Sequence, residues 1–417
     1  MYAPTEVRLL ANGNSLRELP YSLRAASCLV NDAPEHTPFE PWRETAIMRH
    51  LKSSDAVITS GYEQRAQYHQ HCLKRMQVGI PVNRKFIREE KTRLRKLATE
   101  VNRYLPADII ASGRICPIAL SGYLSASDYK MWPKKLTLSG IAQLCVDTQA
   151  LLSLNHELAK VLLAYKEVSA GKVITAMKAC TDGRHRYWSN HHATITGRDK
   201  PVGACFLYLP AKYRESILRP KADMALVQLD YAQQEPLIVA AMAGDRELVQ
   251  AYEKGDMYEL FLTDGNRRDE VKRQVLGYIY GQHQYAESSD IGNLLAHYLA
   301  KVNCYLTEST ARAFSERKIQ CYDWQMAVSH QHKVLSIRNW ICQATAGSIL
   351  RKACLLLDKA KLQVVAALHD AVLLYLPIQN LKNSIQHASS LMQRASALIL
   401  KDAELRVSVE AVYTGGA

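Results

Sequence analysis

Two short apolar stretches, each leading to an aspartate, constrain the fold of this chain more than any other feature. The first, residues 225–235, reads Ala-Leu-Val-Gln-Leu-Asp-Tyr-Ala-Gln-Gln-Glu. It predicts a buried strand that stops at Asp230, where a helix begins. The second, residues 362–376, has two apolar arms on either side of His369 and Asp370. That pattern predicts a β-hairpin with an aspartate at its tip.

The two aspartates have a simple explanation and a chemical one. An isolated aspartate after a strand most often caps the next helix by accepting its free amide hydrogens. If the hairpin lies beside the first strand, however, Asp230 and Asp370 meet at one edge of a sheet. Two carboxylates at close range repel each other unless a divalent cation lies between them, and oxygen ligands suit Mg²⁺ or Mn²⁺. This second interpretation is the arrangement of two-metal phosphoryl transfer.

The length, charge and cysteine content of the chain limit the class of protein it can be. At 417 residues the chain is too long for one compact core, and two or three lobes are expected. Lys and Arg exceed Asp and Glu by 53 to 40, a net charge of +13, which suits a polyanionic partner. The ten cysteines form no Cys-x-x-Cys pair, which argues against a zinc site or a disulfide framework and indicates a reducing cytoplasm. Without a signal sequence or a long apolar run, no membrane association is expected.

A predicted helix at residues 267–281 carries a mixed stripe. Arg268, Lys272, Leu276 and Tyr280 are spaced by four and therefore share one helix face. The cationic turns could hold a triphosphate, and the apolar turns could hold a sugar and a base. The simpler alternative is an amphipathic surface helix whose basic residues are solvated.

Two further predicted helices carry groups that suit a nucleic acid. One begins after a Gly-Ile-Pro-Val-Asn break and has a cationic face that includes Arg84, Lys85 and Arg88. This face either contacts a phosphate backbone or is simply solvated. The other places Asn339 and Gln343 on one face, where their amides could bond to base edges in a minor groove. More often, such amides only solvate a helix.

Taken in chain order, these features resemble the polymerase module of the family A DNA polymerases, the DNA polymerase I type. The first family motif, Asp-Tyr-Ser-Gln-Ile-Glu, is similar to residues 230–235, and the second is similar to residues 268–281, which end in Tyr-Gly. The third, His-Asp-Glu, is similar to residues 369–371, and the Thr-Gly-Arg at residues 196–198 precedes the first motif as in the family. The resemblance extends from about Tyr68 to the C-terminus.

The resemblance implies a helix-rich α+β fold, a right-hand polymerase whose palm is an antiparallel sheet. It implies a thumb at residues 61–185, a palm at 186–236 and 334–417, and fingers at 237–333. Residues 1–60 receive no role. The implied activity is template-directed addition of deoxynucleotides to a primer 3′ end. The implied partners are primer-template DNA and deoxynucleoside triphosphates, and the protein is expected to be a monomer.

The resemblance also implies individual roles. Asp230 and Asp370 would be the catalytic ligands of two Mg²⁺ ions, for which Mn²⁺ could substitute, and the backbone of Tyr231 would complete the metal site. Glu235 would be the steric gate against a 2′-hydroxyl. The residues implied in nucleotide binding are Gln233, Glu235, Arg268, Lys272, Leu276 and Tyr280. The residues implied in DNA binding are Arg84, Lys85, Arg88, Arg198, Asn339, Gln343 and His369.

The chain departs from the family pattern in several places. Ala371 stands where the family has Glu, and Leu276 stands where it has an aromatic residue near the incoming sugar. The segments between motifs are short, which suggests a compact, phage-like enzyme that could act in replication or in repair. No Asp-x-Glu pair occurs in residues 1–60, so no proofreading exonuclease is expected.

Three alternatives to an active DNA polymerase remain. A purely structural helical protein is the first, but it would predict none of these motifs in this order. A catalytically inactive, DNA-binding relative would keep the basic thumb and lose the metal ligands, whereas both aspartates are present here. A single-subunit RNA polymerase-like enzyme would share the palm and the helix stripe but would lack a carboxylate at the position of Glu235.

Overall fold

The computed structural model describes residues 56–136, 141–190, 194–282 and 290–415. In these ranges the α-helices, α1 to α15 in chain order, are Ala56–Val78, Arg84–Tyr104, Pro117–Ser121, Ala126–Met131, Thr148–Leu152, Glu157–Ala170, Lys172–Ala176, Ala211–Ile217, Gln234–Met242, Arg246–Lys254, Arg268–Ile279, Asp290–Tyr298, Ala300–Ser315, Val334–Lys359 and Leu381–Leu400. The strands, β1 to β14, are Ile80–Pro81, Ile110–Ala111, Arg114–Ile115, Lys134–Leu136, Ala142–Leu144, Arg184–His185, Trp188–Asn190, Lys200–Val202, Met224–Tyr231, Lys318–Gln320, Gln325–Ala327, Gln363–Leu368, Ala371–Pro377 and Val407–Thr414. The expected helix-rich α+β class is confirmed.

The prediction that residues 1–60 lack a proofreading site falls largely on residues 1–55, which lie outside the described ranges. None of the described helices has both the length and the apolar character that a membrane crossing requires.

The chain divides into two compact units. Of the described residues, the larger unit contains 56–80, 188–190, 194–202, 220–282 and 290–415, and the smaller contains 81–136, 141–187 and 203–219. The predicted boundaries of thumb, palm and fingers remain predictions.

The smaller unit is built on α2 and α6, which pack against each other. Asn83 caps α2, because its side chain accepts a hydrogen bond of 3.1 Å from the Phe86 amide. Arg93 donates to Glu90 on the same helix at 2.8 and 2.7 Å and to Glu167 on α6 at 2.8 Å. The charged face of α2 is therefore partly used within the protein.

The larger unit contains a four-stranded antiparallel sheet with the strand order β12-β13-β9-β14. The predicted strand and hairpin are confirmed, although β9 extends one residue past Asp230 to Tyr231. The hairpin turn consists of His369 and Asp370, and His369 takes the left-handed conformation at φ 60°. Helices α14 and α15 pack on each other and on the sheet. The sheet therefore presents one end of β9 and the tip of the β12–β13 hairpin together.

Helix α11 ends in a way that explains the Tyr-Gly pair of the sequence. Tyr280 is the C-cap, and Gly281 follows it with φ 87°. A Cβ atom at Gly281 would lie 2.6 Å from a methyl carbon of Leu335. The left-handed backbone and the close contact both require glycine here, which fixes the end of the helix.

Candidate active site

The sheet brings the two predicted aspartates together. Asp230, next to last in β9, pairs with Ala371, the residue that follows Asp370 in the chain. The Tyr231 amide donates a hydrogen bond of 3.3 Å to the Asp370 carbonyl oxygen. The alternative in which Asp230 caps a helix is wrong, because the N-cap of α9 is Gln233 in the left-handed conformation. The N-cap lies three residues after Asp230 because β9 continues to Tyr231 before the helix begins.

Both aspartates line a cavity of about 730 Å³ within the larger unit. Most of the predicted site residues line it too: Arg198, Asp230, Tyr231, Gln233, Glu235, Arg268, Lys272, Leu276, His369 and Asp370. Tyr280, Asn339 and Gln343 are not among the lining residues. Arg84, Lys85 and Arg88 belong to the smaller unit.

The carboxylates are in an environment that disfavours two negative charges. Burial raises the pKa of Asp230, and the neighbouring Asp370 and Glu410 raise it further. Burial is also the main cause that raises the pKa of Asp370. The Oδ1 atom of Asp230 is buried and accepts no hydrogen bond from the described residues. A free carboxylate oxygen beside a second carboxylate is a donor set that fits a hard divalent cation such as Mg²⁺.

Helix α11 supplies positive charge to the same cavity. Arg268 bonds to the Asp256 carboxylate, and its guanidinium lies 5.3 Å from the centre of the Tyr258 ring. Lys272, one turn later, is exposed and forms no ion pair with the described residues. Arg268 is thus held in place by the protein, whereas the ammonium group of Lys272 is available to a ligand.

Gln233 is held by the same carboxylate as Arg268. Its Nε2 donates to Asp256, and its Oε1 accepts from the Met257 amide at 3.1 Å. Asp256 therefore connects the loop after β9 to the start of α11. Both ends of the Gln233 amide are therefore held within the protein, and its side chain forms part of the cavity wall.

Glu235 lies in the first turn of α9, as expected, and its carboxylate is 3.8 Å from a guanidinium nitrogen of Arg198. Arg198 also donates through Nε to the Gln343 carbonyl oxygen at 3.0 Å. Burial raises the pKa of Tyr280, with Cys342 and Glu235 as further causes. The side chains of Arg198, Glu235 and Tyr280 thus form one cluster at the edge of the cavity.

Asn339 and Gln343 lie one turn apart on α14, in the arrangement that the sequence predicted. The Oδ1 atom of Asn339 is buried and has no hydrogen-bond partner among the described residues. Through its backbone, Gln343 holds Arg198, as described above. Neither Asn339 nor Gln343 lines the cavity.

The turn that carries Arg198 is fixed by two tryptophans. The indole nitrogens of Trp324 and Trp340 both donate to the Ile195 carbonyl oxygen, at 2.9 and 2.7 Å. Gly197 has φ 69°, and a Cβ atom there would lie 2.8 Å from the Trp324 ring. Glycine is therefore required, and the position of Arg198 is set before any ligand binds.

Sequence reasoning assigned no role to the lining residues Gln234, Tyr258, Ser408 and Glu410. It also assigned none to Asp256, which holds Arg268 and Gln233 from behind the cavity wall. Gln234 is 4% exposed, and its Nε2 has no partner among the described residues. Asp256 follows a glycine and caps a short 3₁₀ helix, Met257–Phe261, which is a local signal that could have been noted. No local signal indicates that the end of the chain returns to the site.

Comparisons with known proteins bear on the fold. No protein-family model matches the chain, and no curated protein matches its sequence. Among solved structures, the chain is similar to the POL domain of Pol1 from M. smegmatis, in a complex with DNA primer-template and dNTP. The TM-score is 0.64 at 18% identity, over 93% of this chain and 78% of that one. The chain therefore has the fold of a DNA polymerase domain.

Proposed function

We propose that the chain is a DNA-directed DNA polymerase of the family A type, a nucleotidyltransferase that adds deoxynucleotides to a primer 3′ end. The observation that carries the proposal is that Asp230 and Asp370 line one cavity with Arg268 and Lys272. Acidic groups for a metal and basic groups for a triphosphate are the parts that phosphoryl transfer needs. The fold shared with a domain that was solved with primer-template and dNTP supports the same conclusion.

The proposed roles follow the chemistry of each group. When bound at Asp230, Asp370 and the Tyr231 carbonyl, two Mg²⁺ ions, or Mn²⁺ in their place, would activate the primer hydroxyl and neutralise the triphosphate. Arg268 and Lys272 would bind the outer phosphates. Arg268 is preset by Asp256, so little side-chain entropy is lost when it binds.

The remaining proposed roles concern DNA. Arg198, Asn339, Gln343 and His369 would contact the primer terminus on its minor-groove side, where the contacts do not depend strongly on base identity. The cations Arg84, Lys85 and Arg88 would contact the phosphate backbone from the thumb, residues 61–185.

A primer-extension assay tests the function directly. The purified full chain is incubated with a labelled DNA hairpin, four deoxynucleotides and Mg²⁺, and product length is measured on a denaturing gel. Template-dependent extension is expected. Extension with ribonucleotides alone would favour the RNA polymerase alternative, and DNA binding without any extension would favour an inactive relative.

Lys272→Ala is expected to raise the KM for the incoming nucleotide. A charge-assisted hydrogen bond is worth about 1.5–3 kcal/mol, which corresponds to a loss of roughly ten- to a hundredfold in nucleotide affinity. Steady-state kinetics at saturating primer-template measure it. Arg273→Ala is the matched control, because Arg273 is exposed on the same helix and does not line the cavity. Equal effects of the two substitutions would show a nonspecific charge effect instead.

Glu235→Ala is expected to weaken discrimination against ribonucleotides, by about tenfold or more, because it opens the space that a 2′-hydroxyl would occupy. The total rate should fall as well, since the pairing of Glu235 with Arg198 is lost. The measurement is the ratio of kcat/KM for a ribo- and a deoxynucleotide opposite the same template base.

Glu247→Ala is the control for a purely structural effect at Glu235. Glu247 is exposed in the first turn of α10, so both substitutions remove a helix N-terminal carboxylate worth about 0.3–1 kcal/mol. If the nucleotide ratio is unchanged in Glu235→Ala, then Glu235 only stabilises its helix.

A further inference from the structure

The edge strand β14 carries two polar residues, Ser408 and Glu410, that line the same cavity as the aspartates. Ser408 lies directly opposite Asp230 on β9. The register then shifts between Val409 and Ala411, which makes Glu410 the extra residue of a β-bulge. Bulges next to functional sites re-aim a side chain, and this one gives the cavity an acidic residue from the far end of the chain.

The strand on the other side of β9 is β13, and it has no acidic residue opposite Asp230. Ala371 on β13 also pairs directly with Asp230, but the residue is only 6% exposed and its side chain is a methyl group. Of the two strands flanking β9, therefore, β14 carries the acidic residue that lines the cavity next to Asp230. A residue far from Asp370 in the sequence can therefore supply a carboxylate beside Asp230, because the sheet brings its strand next to β9.

Contacts and charge connect Glu410 to the aspartates. The Ser408 hydroxyl lies 2.8 Å from a carboxylate oxygen of Glu410 and 3.4 Å from the Asp230 carbonyl oxygen. Glu410 forms no ion pair with the described residues, so its charge is not neutralised within this part of the chain.

A second observation limits the kind of contact that Glu410 could make with a cation. Within the described residues, His, Cys, Asp and Glu side chains form no group of three or more that could hold a metal ion. Glu410 is therefore assigned a contact through water and not a direct bond to the cation. Mg²⁺ dehydrates reluctantly and usually keeps several water molecules, each of which seeks a hydrogen-bond acceptor.

We propose that Glu410 binds the water molecules of a divalent cation held by Asp230 and Asp370, and so takes the place of the carboxylate that Ala371 does not provide. This inference rests on the proposed function. Ser408 orients Glu410 toward the cavity, and Asp230 Oδ1, which has no hydrogen-bond partner among the described residues, would be free to bind the cation. Removal of such a partner typically costs about ten- to a hundredfold in metal affinity.

The test measures Mn²⁺ binding to the full chain without DNA, from the loss of the free Mn²⁺ signal in electron paramagnetic resonance. The variants are Glu410→Gln, Glu404→Gln and Asp230→Asn. Glu404 is exposed just before β14 and does not line the cavity, so its substitution changes the net charge equally. We expect Glu410→Gln to raise the Mn²⁺ dissociation constant about tenfold and Glu404→Gln to leave it unchanged.

Three other results are distinguishable. If Asp230→Asn weakens binding and Glu410→Gln does not, the role of Glu410 is overturned and the proposed metal site stands. If Glu410→Gln and Glu404→Gln weaken binding equally, the effect is general electrostatics and the inference is again overturned. If Asp230→Asn leaves binding unchanged, the cation lies elsewhere and the proposed function loses its metal site.

Discussion

Asp230→Ala and Asp370→Ala should each reduce primer extension by about a thousandfold or more. Each substitution removes a carboxylate that the proposed function assigns to the catalytic metal ions, and the several kcal/mol that a metal ion supplies correspond to that factor. Binding of primer-template should be retained, because Lys and Arg contacts with phosphate dominate affinity for DNA. The measurements are single-turnover extension and fluorescence-anisotropy titration with the same labelled hairpin.

Two control substitutions distinguish the loss of a proposed metal ligand from other effects on extension. Asp402→Ala removes an exposed aspartate after α15 and should leave extension unchanged. His369→Ala should have a milder effect than either catalytic substitution, because His369 lines the cavity without being a proposed metal ligand. Near-normal extension by either Asp230→Ala or Asp370→Ala would refute the two-metal assignment.

Asp323→Ala should reduce the free energy of unfolding by about 3–5 kcal/mol, since it leaves the buried guanidinium of Arg351 without its partner. The pair is bidentate, at 3.0 and 2.6 Å, and both side chains are at most 2% exposed. Arg351 also donates to the Gly197 carbonyl oxygen at 2.6 Å. The loss should therefore loosen the turn before Arg198 as well. Urea denaturation of the variant and the parent measures the difference.

The control for Asp323→Ala is an ion pair at the surface. Lys74 and Asp358 lie 3.0 Å apart with side chains that are 63% and 37% exposed. Asp358→Ala should cost no more than about 1 kcal/mol, because exposed pairs are well solvated when separated. Similar losses in Asp323→Ala and Asp358→Ala would contradict the distinction between the two pairs.

Lowering the pH should weaken the contribution of the Asp323–Arg351 pair to stability. Burial would raise the pKa of Asp323, but Arg351 and then Arg65 outweigh it, and the pKa in the folded protein is lowered. The pair therefore contributes fully above the unfolded pKa of about 3.9 and loses its contribution as the pH falls toward the folded value.

The strand, the hairpin and the cationic helix could be predicted from the sequence because each has a local pattern. Asp230 and Asp370 terminate apolar runs, and the stripe on α11 follows helical spacing. Asp256 and Glu410 could not be assigned in the same way. Asp256 acts by holding Arg268 and Gln233, a relation that depends on tertiary packing.

The placement of Glu410 at the cavity depends on a feature that is even less local in the sequence. Its position follows from a register shift in the pairing of β14 with β9. A shift of one residue exchanges the faces of a strand, and sequence alternation alone does not reveal where such a shift occurs. The helix-cap interpretation of Asp230 was wrong for a related reason: β9 continues to Tyr231, and the loop after it delays the start of α9 until Gln234.

The tryptophan and arginine contacts of the turn before Arg198 also determine when the site can form during synthesis. Ile195 and Trp340 are 145 residues apart in the chain, and Gly197 and Arg351 are 154 apart. Contacts between such distant residues require large loops to close first, which favours their formation late in folding. A nascent chain that has emerged only as far as α13 already contains Asp230, Arg268 and Lys272. It lacks α14, so these groups, which the proposed function assigns to the metal and the phosphates, are synthesised before the turn that carries Arg198 can be fixed.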